Sequence, residues 1–268
     1  MSSTRGQTPS DTAVAPSGPA STTLPVLPGL HARVLDQIGT AVCSGEMRPG
    51  DLLYIDDLAE RYAVSRSVVR EALRVLSSMG MVHSRRRVGT QIRPASRWNL
   101  YDPQVIRWRL ASRQRNGQLR SMTELRTAVE PLAARLAAER TSADAASDLV
   151  STAAKMCAAG KDGDDDEFLL LDIEFHRQVL AGSGNDMFVK LHELVAEVLA
   201  GRHHYGLMPR YPQDEALRLH ADVAQAIQRG DGDRAYEAMV HIMQQALDEM
   251  RSMWDGGPDD GAEAASGS

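Results

Sequence analysis

The chain has 268 residues, a formal charge of −6, 25% charged side chains and only 4% aromatics. Scarce aromatics beside plentiful Ala, Leu and Val favour one large or two modest domains of helices packed on helices, and argue against a β-sandwich. The two cysteines, Cys43 and Cys157, match no metal or redox spacing and suit a reducing compartment, no apolar run could span a bilayer, and no signal-peptide core opens the chain, so a cytoplasmic protein without a membrane partner is expected.

Residues 1–27 are rich in Ser, Thr, Pro, Gly and Ala and read as a disordered tail, too poor in large apolar side chains to order itself. Leu30, Val34, Ile38 and Val42 then recur at helical spacing and predict a helix over 30–44, broken by Gly45, Pro49 and Gly50. A second helix is expected over 55–62, with Ala63 and Val64 turning into a third. That third helix opens on Ser65, a good capping residue, and sets Val68, Val69, Ala72, Leu73, Leu76 and Met79 at helical spacing. Arg66, Arg70 and Arg74 follow one another at steps of four and share its exposed face. Gly80 ends it. Arg85, Arg86 and Arg87 then lead through Gly89 into Thr90, Gln91 and Ile92, a β-like hairpin tipped with arginine. A short basic helix followed by such a wing suits double-stranded DNA, the helix in the major groove and the wing on the backbone or minor groove. A merely solvated helix face is the competing reading. Charge by segment supports DNA: residues 30–97 hold eleven Arg and seven acidic residues, a balance of +4 that leaves −10 for the remainder.

The Arg48–Leu53 turn (RPGDLL), the helix IDDLAERYAV, the helix SRSVVREALRVL and the wing ending in RVGTQI together resemble the winged helix-turn-helix of the GntR family of bacterial transcription regulators. The resemblance covers residues 30–93 closely. It implies DNA contacts from Ser65, Arg66, Ser67 and Arg70 at the start of the third helix, and from Arg87, Gly89 and Thr90 in the wing. Arg74, one turn further on, reads equally as a phosphate contact or a solvated charge. Many relatives carry an Arg at the start of the second helix where this chain has Asp56, so its docking angle or operator is expected to differ.

A winged head over residues 28–95 is expected to lead into a linker helix within 96–116, started by Asp102 and Pro103. Trp98, Val105, Ile106, Trp108 and Leu110 give that linker apolar surface to seat two domains together; the stretch resembles the linker of GntR members that respond to sugar acids. Residues 117–254 read as an all-helical domain, with helices near 118–140, 143–159, 165–182, 186–206, 213–229 and 232–253. Gly160, Gly182, the prolines at 209 and 212, and Gly230 divide them. Asn185 reads as a helix cap. Residues 255–268 revert to a disordered tail. The fold class is mainly α: a winged helix-turn-helix followed by a helical bundle.

Within 165–181 the apolar stripe of Phe168, Phe175 and Val179 also carries Asp172 and His176. His220 likewise falls in line with Leu217, Ala224 and Ile227. Polar groups of ligand type on inward faces are costly unless paired or metal-bound. Three of them favour a divalent metal over hydrogen-bonded core residues, and the N and O donor set leaves zinc, nickel, manganese and iron open. Arg202, His203, His204 and Tyr205 gather donors at one helix end, of which Arg202 and His204 are taken as effector contacts.

An all-helical domain behind a GntR head resembles the FadR subgroup, whose C-terminal domain binds small acids and often a metal. The resemblance assigns Asp172, His176 and His220 to metal, and Arg126 to the carboxylate of an effector; by spacing alone Arg126 pairs equally well with Glu130. The subgroup's usual fourth ligand position holds Ile242 here. His241 falls with Arg234, Glu237 and Asp248 on a polar face, so three protein ligands are expected. The whole reads as a homodimeric, non-enzymatic transcription regulator, a repressor controlled by a small carboxylate or sugar acid. A metal-dependent enzyme and an architectural DNA binder are the rivals. The first leaves the wing unexplained, and the second leaves the buried Asp and His residues without purpose.

Overall fold

The computed structural model describes residues 29–85, 88–206 and 214–254. The expected tails and the wing residue Arg87 lie outside them. Helices α1 (Leu30–Ser44), α2 (Ile55–Arg61) and α3 (Arg66–Ser78) close around Val34, Ile38, Leu58, Val69, Leu73 and Leu76. The α3 start is as expected: the Ser65 hydroxyl accepts from the Val68 amide at 3.4 Å. Its end depends on Gly80, which adopts φ +76 and leaves no room for a side chain, since a Cβ there would meet the Arg97 carbonyl oxygen at 2.4 Å.

The wing is one strand richer than the sequence indicated. Strands β1 (Leu52–Leu53), β2 (Val82–Arg85) and β3 (Gly89–Ile92) form an antiparallel sheet in the order β1-β3-β2, with Leu52 opposite Gln91 and Ser84 opposite Thr90. Two residues are too short a run to show alternation, so β1 reads from sequence only as part of a turn.

Helix α4 (Pro103–Leu110) is the hinge of the architecture. Asp102 caps it, accepting from the Gln104 amide at 2.9 Å. Val105 and Trp108 enter the core of the head, while Ile106 and Leu110 enter the core of the bundle. The Trp108 indole also donates to Asp36 of α1 at 2.7 Å. One short helix thus belongs to both hydrophobic cores.

The bundle contains α5 (Arg115–Arg140), α6 (Ala143–Asp162), α7 (Asp165–Gly182), α8 (Asp186–Val189), α9 (His192–His204), α10 (Asp214–Gln228) and α11 (Gly232–Trp254). Helix α5 packs on both α11 and α7, with α10 against α6 and α11. Two expected boundaries change. Gly160 is buried within α6, which runs on until Gly163 closes it at φ +72. The helix expected over 186–206 is two, because α8 ends in a tight turn with the Leu191 amide on the Phe188 carbonyl at 2.9 Å. Asn185 does cap α8, accepting from the Met187 amide at 3.0 Å.

A buried Asp–His–His centre and a basic head

Asp172 and His176 stand one turn apart on α7, and His220 faces them from α10. All three side chains are buried, and one donor atom from each lies within 4.8 Å of the others. Asp172 Oδ1 is 3.3 Å from His176 Nε2 and 3.3 Å from His220 Nε2. The remaining ring nitrogens fix how these donors are presented. His220 Nδ1 lies 2.7 Å from the Ala216 carbonyl, which can only accept, so Nδ1 carries a hydrogen and Nε2 is the nitrogen turned towards Asp172.

His176 is held by a residue the sequence reading missed as a member of the centre. Its Nδ1 is 2.5 Å from Glu130 Oε2, off the line of an ideal N–H···O bond. Arg126 Nη2, a pure donor, reaches His176 Nε2 at 3.2 Å. Arg126 in turn donates from Nε to Glu130 at 2.5 Å, the ion pair that spacing allowed, here fully buried. The signal for Glu130 was present: it is an acid on the inward stripe of α5 with Met122, Arg126 and Ala137.

Electrostatics keep both carboxylates of the centre ionised. Burial alone would raise Glu130, but Arg126 and His176 outweigh it and hold the carboxyl at about 2. Burial likewise opposes ionisation of Asp172, and the two imidazoles reverse it, keeping the carboxyl well below its usual range. Burial lowers His176, yet the Glu130 and Asp172 carboxylates outweigh burial and Arg126, so its proton is held more tightly than usual. Among the described residues Asp172 Oδ1 and His220 Nε2 have no partner at hydrogen-bond geometry. One buried carboxylate and two imidazoles that converge on one point fit a cation once the imidazoles are neutral, and that donor set suits a divalent transition metal.

The centre opens on a cavity of about 320 Å³ lined by Arg126, Phe168, Leu199, Arg202, Met243 and Glu249, among others. That is the small end of the range for ligand sites, roughly 300–1,000 Å³. Ile242 lines it while His241 is exposed, and among the described residues the group that could hold a metal is Asp172, His176 and His220. One expected contact is corrected. His204 is exposed and packs on Tyr205 at 4.8 Å, whereas His203, one step of 100° earlier on α9, lines the cavity with Arg202.

On the head, Ser65, Arg66, Ser67 and Arg70 are all exposed at the start of α3. Asp56 is tied to Arg66, Oδ1 to Nε at 2.7 Å, so the acid that departs from the family pattern engages the first arginine of the helix. Arg74 pairs loosely with Glu71 at 3.7 Å. Gly89 is half-buried at the wing turn. Strand alternation turns the Thr90 side chain inward, leaving it 8% exposed.

Comparison with known proteins agrees with this geometry in both halves. Residues 30–92 match the model of bacterial regulatory proteins of the gntR family, and residues 121–245 match the FCD domain. The chain is 30% identical to the HTH-type transcriptional regulator LutR of Bacillus subtilis, over 74% of this chain and 90% of that one. It is 28% identical to the galactonate operon transcriptional repressor of Escherichia coli, over 79% and 92%. The solved structure of Lar, which controls the Listeria monocytogenes agr system, shares the fold with a TM-score of 0.52 at 14% identity, covering 85% of this chain and 99% of that one. With a GntR-type DNA-binding head joined to an FCD domain, this chain belongs to the GntR family of transcription regulators and is not an enzyme.

Proposed function

We propose that this protein is a repressor whose affinity for operator DNA is set by a small organic or sugar acid, bound on a divalent metal held by Asp172, His176 and His220. It acts in the cytoplasm as a homodimer, its two heads on the half-sites of a pseudo-palindrome. Ser65, Arg66, Ser67 and Arg70 are its base and phosphate contacts. The observation that carries the reading is the convergence of three buried donors on a cavity, with Asp172 Oδ1 and His220 Nε2 lacking a hydrogen-bond partner among the described residues. The galactonate operon repressor, by its name, belongs to sugar-acid metabolism, which supports the effector class.

When bound, the metal supplies a fixed positive charge for a carboxylate. The chain's own residues do the rest. Glu130 and the Ala216 carbonyl orient the two imidazoles, Phe168 and Met243 exclude water, and Arg126 adds a cation at the cavity wall. An acid relieves repression only if it binds the low-affinity conformation more tightly than the DNA-bound one; equal affinity shifts nothing. The test is metal content of the purified protein beside His176→Ala. Wild type is expected to retain about one ion per chain, and the variant to lose it while still binding DNA. Equal metal in both would refute the site.

A further inference from the structure

A second charged pair shares the cavity with the Asp–His–His centre. Arg202 of α9, its side chain 5% exposed, donates from Nη2 to Glu249 of α11, and both line the cavity beside Gln245. Arg202 Nε has no hydrogen-bond partner among the described residues. The remaining buried charges balance in a telling way. Arg126 pairs with Glu130 and Arg202 with Glu249, which leaves Asp172 as the carboxylate that a metal on the neutral imidazoles would meet. A divalent cation at the centre would leave one positive charge in surplus. One carboxylate matches that surplus. A second would be buried against Glu249, with the half-exposed Asp165 also on the wall, and buried charges without a partner are expensive.

Hydrogen-bond chemistry points the same way. Arg202 Nε is a donor and the Glu249 carboxylate an acceptor, held side by side by their own ion pair. A hydroxyl complements such a pair, accepting from one and donating to the other, whereas a carboxylate only accepts. We infer that the Arg202–Glu249 pair is a specificity determinant: it makes the cavity select monocarboxylates bearing a hydroxyl away from the acid group, and reject the matching dicarboxylates. This rests on the reading that the cavity takes an acid on a metal, and adds which acid.

Calorimetric titration of the metal-loaded, full-length protein with D-galactonate against D-galactarate, and D-gluconate against D-glucarate, tests it. Each pair differs only by a terminal hydroxymethyl or carboxylate. Wild type is expected to bind the monoacid at least tenfold more tightly. Glu249→Gln, which frees the Arg202 charge for a second carboxylate, is expected to erase or reverse that preference, and Glu249→Asp to restore it. Equal affinity of wild type for both members, or an unchanged preference in Glu249→Gln, would overturn the role of the pair and leave acid sensing intact. Should Glu249→Gln fail to fold, the wild-type preference and Glu249→Asp still decide. Binding of none of the four acids would defeat acid sensing and this inference together.

Discussion

Glu130 illustrates how depth changes what a charge pair does. At the surface, Arg126 and Glu130 four residues apart would contribute a few tenths of a kcal/mol to a helix. Buried on α5, the same pair presents a carboxylate to His176 Nδ1 and so directs Nε2 towards Asp172 and the cavity. Groups that orient a ligand imidazole typically change metal affinity by about 10–100-fold when removed. Glu130→Gln is therefore expected to weaken metal binding by about that factor with all three donors in place, measured by competition with a chromophoric chelator. An unchanged affinity would show that His176 needs no orienting partner. At this scale the sequence was informative wherever a polar residue interrupted an apolar stripe, as at Asp172, His176 and His220. It was silent on Arg202–Glu249, because a pair between α9 and α11 leaves no spacing to read, and a one-residue rotation exchanged His203 for His204.

Among the elements, α3 and α4 carry the consequences. The exposed Arg66 is held by Asp56 of α2. A base contact by an arginine is worth about 1–3 kcal/mol, so Arg66→Ala should weaken specific operator binding by roughly 5–150-fold. Asp56→Ala removes a negative charge from the phosphate-facing side and frees Arg66. It should raise affinity for DNA of any sequence and steepen its salt dependence by about one phosphate contact, read by fluorescence anisotropy across a salt series. A flatter salt dependence would place Asp56 away from the DNA. Helix α4 is seated by two close approaches. A Cβ on Gly39 would stand 2.5 Å from the Trp108 ring, and one on Gly201 would stand 2.7 Å from Leu110 Cδ1. Gly39→Ala should cost about 1–3 kcal/mol of stability, as overpacking does, seen as a lowered denaturation midpoint. No loss would mean that Trp108 is loosely seated. Most of these helices were legible because their apolar residues recur with a period near 3.6. The α8–α9 break was not, since no Gly or Pro marks Lys190 or Leu191, and the end of α6 was misplaced because two glycines, 160 and 163, stand close together.

Across the whole molecule, two hydrophobic cores share α4, a basic head is joined to an acidic body, and the buried centre lies in the body. Helix α9 has Arg202 on the cavity wall and, in the adjacent residue, Gly201 against Leu110 of α4. A movement of Arg202 would therefore bear on the helix that seats the head, since the two are joined by contiguous packing. Binding to the folded state stabilises it by mass action, by about 2.7 kcal/mol at a hundredfold excess over Kd. The central claim is accordingly tested most directly by thermal melts of the purified protein with a panel of sugar acids and small carboxylates, with and without chelator. A rise in Tm with one class of acid, abolished by chelation, is the predicted result. No shift with any acid, and none on chelation, would contradict it and leave the helical domain a dimerisation module behind a DNA-binding head.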